Sequence, residues 1–91
     1  MAKVKFTRHL VRYFPTLGDV VEAQGHTVAE VIADLNRQYP GLADYIIDER
    51  GSLRRHVNIF LDKDLIQDRQ TLQDVVAQDE QVYIFQALSG G

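Results

Sequence analysis

Apolar and polar positions alternate at the start of the chain, with Val4 and Phe6 on one side and Lys3, Lys5 and Thr7 on the other. A period of two marks a strand with one buried face. A less regular stretch follows over residues 9–16, where Pro15 argues against a central strand. Gly18 and Asp19 then introduce a short second strand over 20–23, closed by Gly25, so the first two strands are expected to pair as an antiparallel hairpin with a long connection. From residue 28 the period changes. Val28, Val31, Ile32, Leu35 and Tyr39 recur at helical spacing and form one apolar stripe. Thr27 and Glu30 make a T-x-x-E capping box ahead of it, and Pro40-Gly41 stops it. Glu30, Asp34 and Arg37 fall off the stripe and are expected to face solvent.

Residues 42–47 suggest one more short helical turn before the polar turn 48–52. Val57, Ile59 and Leu61 then alternate with Asn58 and Phe60, and Asp62-Lys63-Asp64 turns the chain into Leu65-Ile66. Residues 71–77 read as an irregular turn with Leu72, Val75 and Val76 facing the core, and residues 81–88 as the last strand. The order β-β-α-(turn)-β-β-β describes a two-layer α+β domain in which one main helix crosses a small mixed sheet. The β-grasp, or ubiquitin-like, arrangement is the natural candidate, as a single domain over residues 1–91 with a flexible Gly-Gly tail over about 87–91.

Composition narrows the chemistry. The 91 residues carry a formal net charge of −3 and no cysteine. That leaves this chain without a thiolate metal site, a disulfide or a cysteine nucleophile. No apolar run approaches the ~20 residues of a membrane span, and mild acidity weighs against general nucleic-acid binding. A cytoplasmic protein with neither membrane nor nucleic acid as partner is expected. His9, His26 and His56 sit at no paired ligand spacing, so they read as surface or locally bonded histidines with no metal. Asp62, Asp64, Asp68, Asp79 and Glu80 lack the central glycine and closing glutamate of a calcium loop and read as a solvated acidic turn. Arg50, Arg54 and Arg55 resemble an anion patch, but a soluble hairpin face is the favoured reading. There is no P-loop and no G-x-S-x-G. No catalytic residues are assigned, and no cofactor is expected to be bound.

The end of the sequence carries the strongest signal. The last strand runs into Ala87-Leu88-Ser89-Gly90-Gly91. Two residues without Cβ atoms make a thin, pliable segment. Such a segment can enter a narrow channel and present the Gly91 carboxylate to the α-phosphate of an ATP held by another protein.

Three stretches resemble the ThiS/MoaD family of ubiquitin-like sulfur carriers: residues 27–35 (TVAEVIADL), 56–61 (HVNIFL) and 79–91 (DEQVYIFQALSGG). The strand that begins Arg55-His56-Val57, after the Gly51-Ser52 turn, looks most like the CysO-type branch, which serves cysteine biosynthesis. Where many relatives have proline before the tail, this chain has Gln86-Ala87. The resemblance implies that a ubiquitin-activating-enzyme-like adenylyltransferase uses ATP to convert the Gly91 carboxylate to an acyl-adenylate. A sulfur donor protein then replaces the adenylate and leaves a thiocarboxylate. Ser89 and Gly90 serve as the tail, and a sulfur-accepting synthase, with a metalloprotease in the cysteine branch, completes the partner list. The acceptor stays open among cysteine synthesis, molybdopterin, thiamine and transfer RNA.

Strand arithmetic supplies a docking face. If Val57, Ile59, Leu61, Val82 and Ile84 pack under the helix, Phe60, Tyr83 and Phe85 face away from it. With Leu88 they are the expected partner-docking residues, forming a patch of several hundred Å² unless the 9–17 loop or a second copy covers it. Two other functions use the same fold: a modifier joined to target lysines through Gly91, and a non-covalent module that needs only the aromatic face.

Overall fold

The computed structural model describes residues 1–7, 14–18 and 20–86. Five strands form one mixed sheet: β1 (Ala2–Phe6), β2 (Val21–Ala23), β3 (Val57–Leu61), β4 (Asp64–Leu65) and β5 (Gln81–Gln86). Helix α1 (Val28–Gln38) and the short α2 (Ala43–Ile46) lie between β2 and β3 in the chain. The strand order is β2-β1-β5-β3-β4. Strands β1 and β5 run parallel at its centre, and the remaining pairs are antiparallel. This is the β-grasp arrangement, with the last strand of the chain inserted between the first and the third.

Alternation decides which residues close the core. Val4, Val57, Ile59, Val82 and Ile84 are each at most 1% exposed and pack with Val28, Val31, Ile32 and Leu35 of α1. Leu61 is only partly buried against this cluster. The helix starts as its sequence indicates: Glu30 N–H donates to Thr27 Oγ1 at 3.2 Å, while Glu30 Oε1 accepts from His26 N–H at 2.8 Å. The two N–H groups before Glu30 are also satisfied, by carbonyls of the distant 71–77 segment. Val28 donates to Asp74 O at 3.0 Å and Ala29 to Leu72 O at 2.9 Å. At the other end Asn36 Oδ1 accepts from Gly41 N–H and Ala43 N–H, tying α1 to α2. Gly25 sits against the first turn of α1. A Cβ there would lie 2.7 Å from Val31 N, and its φ is +149°.

Several expectations need correction. Leu72 and Val76 are buried as expected, but Val75 is 75% exposed. The cause is an antiparallel bridge between Val75 and Thr27, which turns the Val75 side chain outward while its neighbours reach the core. Asp34 does not simply face solvent. Its side chain is 12% exposed and accepts from Gln24 N–H at 3.0 Å, from Arg37 at 2.8 and 3.0 Å and from Gln38 at 3.0 Å. Gln38 also donates to Glu22 O at 2.8 Å. These two helix side chains therefore occupy polar backbone groups on the outer edge of β2, an edge otherwise open to strand addition. Strand β5 ends at Gln86, and residues 87 and 88 of the expected strand lie outside the described residues. Arg50 stands in the turn of a short hairpin closed by the antiparallel Ile47–Leu53 bridge. Arg54 follows it with its N–H on Ile46 O at 3.0 Å, and Arg55 lies in the turn before β3.

Candidate functional site: the open sheet face and the root of the tail

Directly opposed residues of neighbouring strands share a face. On the side away from α1, the register sets Lys5 beside Tyr83, Tyr83 beside Phe60, and Phe60 beside Leu65. Phe85 stands opposite Asn58 one step further along β5. The rings contact one another: Phe60 meets Phe85 edge-on at 5.7 Å between centroids, and Phe85 stacks on Tyr83 at 6.1 Å and 15°. Lys5 Nζ lies 5.5 Å from the centre of the Tyr83 ring, within cation–π range. The Tyr83 hydroxyl donates to Gln81 Oε1 at 2.8 Å, so its polar end is satisfied on the same surface. Phe85 is 44% exposed and Leu65 49%, while Phe60 and Tyr83 are half-buried. The three aromatic residues expected on this face are there together. Leu65 belongs with them, which its sequence neighbourhood did not reveal because a two-residue strand carries too little alternation to assign a face.

This cluster leads straight to the tail. Gln86, the last residue of β5, pairs with Val57, and its N–H points to Thr7 Oγ1 at 3.5 Å. Its side-chain Nε2 lies 3.4 Å from His56 Nε2, and its Oε1 is enclosed with no hydrogen-bond partner among the described residues. Asp44, Tyr45, Arg54, His56 and Gln86 line a shallow hollow here. Gly91, Gly90, Ser89 and Leu88 lie outside the described residues. The 9–17 loop is described only in part. Leu17 is buried in the core, and Phe14 meets Tyr45 edge-on at 5.5 Å.

Two polar side chains organise the surroundings: Arg69, which sequence reasoning passed over, and Asp68, which it misplaced. Arg69 donates to Arg54 O at 2.9 Å, Val57 O at 2.8 Å, Arg55 O at 3.4 Å and Asn58 Oδ1 at 3.0 Å, bracing the start of β3. Asp68 was expected in a solvated acidic turn. Instead it gathers the Thr71 hydroxyl and the N–H groups of Thr71, Gln73 and Gln70, which hold its carboxyl at about 2, below the ordinary 3.8. Asp34 and Asp48 are also lowered, chiefly by the N–H of Gln24 and of Ser52 respectively. Neither role has a periodic signature, because the carbonyls and amides involved meet only in the folded chain. Among the described residues no three His, Cys, Asp or Glu side chains form a group able to hold a metal ion, and no helix is long and apolar enough to cross a membrane.

The fold and the exposed sheet face define a ubiquitin-like β-grasp protein whose last strand delivers a segment ending in two glycines. Residues 11–91 match the ThiS family, and the chain belongs to that family. The sulfur carrier protein CysO of Mycobacterium tuberculosis is 33% identical over 73 residues, which are 78% of this chain and 78% of the relative. The crystal structure of Mycobacterium tuberculosis CysO superposes with a TM-score of 0.85 at 27% identity, covering 97% of this chain and all of that one (100%). Small archaeal modifier protein 1 from Haloferax volcanii shares the fold, with a TM-score of 0.77 at 21% identity over 99% of this chain and 98% of the other.

Proposed function

We propose that this chain is a sulfur carrier acting through the carboxylate of Gly91, with cysteine biosynthesis the pathway that its likeness to CysO favours. The observation that carries the reading is the ThiS-family match over residues 11–91, which spans both the aromatic face and the residues that follow β5. A carboxylate is a poor electrophile. A partner adenylyltransferase joins one of its oxygens to the α-phosphorus of ATP and releases pyrophosphate. Hydrosulfide then attacks the carbonyl carbon and AMP leaves with that oxygen, so a thiocarboxylate remains. A donor that brings its sulfur as a persulfide gives an acyl disulfide instead, and a second thiol reduces that S–S bond to free the thiocarboxylate. The chain itself supplies no catalytic group. It is the substrate of the activating enzyme, and a sulfur-accepting synthase consumes its product. This scheme also accounts for a sulfur carrier that contains no cysteine.

The fold prepares the approach. Packing fixes β5, and with it Gln86, at the centre of the sheet. Phe60, Tyr83 and Phe85 then serve as the anchors that seat the partner beside the entering tail. Leu88 adds an apolar side chain on the tail.

Intact-mass measurement tests the reading. Incubated with an adenylyltransferase encoded beside it, ATP and a sulfur donor, the chain ending at Gly91 is expected to gain the mass difference between one sulfur and one oxygen. Deleting Gly90 and Gly91 is expected to abolish the gain without moving the thermal midpoint. An unchanged mass with every neighbouring activating enzyme overturns the proposal.

A further inference from the structure

We propose that the end of the sheet around the root of the tail is a cationic collar, and that the enzyme receiving the tail meets it with an acidic rim. The inference rests on the sulfur-carrier reading and adds the charge chemistry of the partner surface.

Arg54, Arg55 and Arg69 converge beside Gln86. Arg54 lines the same hollow as Gln86, Arg55 is exposed next to it, and Arg69 holds the carbonyls of Arg54, Arg55 and Val57, the last being the residue paired with Gln86. What these guanidinium groups bond is as telling as where they stand. The Arg54 Nε–H donates to Asp44 O at 2.7 Å, and every hydrogen bond found for Arg69 goes to a carbonyl or an amide oxygen. Neutral acceptors fix the groups in place without cancelling their charge. Asp44, His56 and Tyr45 line the hollow and the Asp48 carboxylate feels the charge of Arg54, so among the described residues three guanidinium groups stand against two carboxylates. This occurs in a chain whose overall charge is −3.

The other end of β5 has the opposite sign. Gln81 exchanges hydrogen bonds with Asp62, Asp64 follows Asp62, and Asp79 and Glu80 precede Gln81. These four acids outnumber Lys63, Lys3 beside Gln81 and the Met1 ammonium, which lies 3.8 Å from Asp79. The six residues of β5 therefore separate a positive from a negative end by about 17 Å. Such a charge gradient orients an approaching partner and speeds encounter more than it tightens the final complex. These arginines border Gln86, the last described residue before the tail, on its β3 side, so a complementary rim lies at the mouth of the receiving channel. A phosphate backbone fits this surface poorly, since the acidic end would repel a long polyanion.

Steady-state adenylation of the full chain, followed by pyrophosphate exchange across a range of salt concentrations, provides the test. For the unaltered chain KM is expected to rise with salt. The Arg54→Gln/Arg55→Glu double variant is expected to raise KM about tenfold at low salt and to flatten the salt dependence, with kcat and thermal midpoint held. Arg54→Lys/Arg55→Lys is expected to retain the salt dependence because it keeps the charge. If the Arg54→Gln/Arg55→Glu variant does not fold, Arg55→Glu alone carries the comparison, since that side chain is exposed. A double variant with the KM and salt dependence of the parent overturns the collar and leaves the carrier reading standing. Salt-sensitive binding of oligouridylate RNA through these arginines, with adenylation unaffected by their reversal, also overturns it. A parent chain that no neighbouring adenylyltransferase activates removes both proposals together.

Discussion

The side of the sheet under α1 and the side away from it are made from the same strands, one residue apart. Val82 and Ile84 are each 1% exposed, whereas Phe85, the next residue along, is 44% exposed. Both faces are apolar. They differ in what stands opposite them. On the covered side α1 and the 71–77 segment supply Leu35, Leu72 and Val76, and among the described residues every buried residue is apolar. On the open side, among the described residues, Phe60, Leu65, Tyr83 and Phe85 meet one another, the Lys5 ammonium and the Gln81 side chain. An apolar cluster left in water adds little to folding and is available for a partner. The difference teaches that hydrophobicity alone does not mark the core; the presence of a second layer does.

The largest effect that would break this comparison is on the covered side. Leu35→Ala removes a side chain that is 0% exposed and is expected to cost about 2–5 kcal/mol in chemical denaturation. A loss below about 1 kcal/mol would mean that the helix does not carry the core. A smaller, pH-confined effect is expected at Asp68, which keeps the loop bearing Leu72 and Val76 in place. Its carboxyl titrates at about 2 in the folded chain against an ordinary 3.8, so the ionised form is the one the fold binds. Its stabilisation is complete above 3.8 and is lost as pH falls through about 2. Asp68→Asn is therefore expected to lower stability at neutral pH and to flatten the acid limb of a stability-versus-pH curve within that window. Unchanged curvature would show that the loop is held by other contacts. The smallest effect on stability is expected from Phe85→Ala, below about 1 kcal/mol, because the ring is already half in water. The same variant is expected to raise the KM for adenylation. Equal losses of folding and docking would erase the distinction between the two faces.

Much of this was legible from residue order. The helix stripe from Val28 to Leu35, the Thr27 cap and the alternation through β3 and β5 are local patterns, and each maps onto one side of one element. The aromatic face followed from parity alone. Val75 defeated the reading because its orientation is set by a bridge to Thr27, nearly fifty residues earlier in the chain. Asp34 defeated it because a residue off the apolar stripe was free to meet the edge of β2. Arg69 and the collar were hidden for a related reason. Arg54 and Arg55 are adjacent in sequence, but Arg69 joins them only through carbonyls of another segment.

Residue order by itself determined the kind of element at each position, the side of each strand that seeks apolar company, and the diglycine on which the proposed chemistry turns. All of these rest on spacings of a few residues. Tertiary structure alone decided that β5 lies between β1 and β3, that Leu65 joins the aromatic residues, and that three arginines gather where the last strand ends. Those arrangements depend on contacts between distant segments, and such contacts form only when burial of one face fixes the register of the whole sheet.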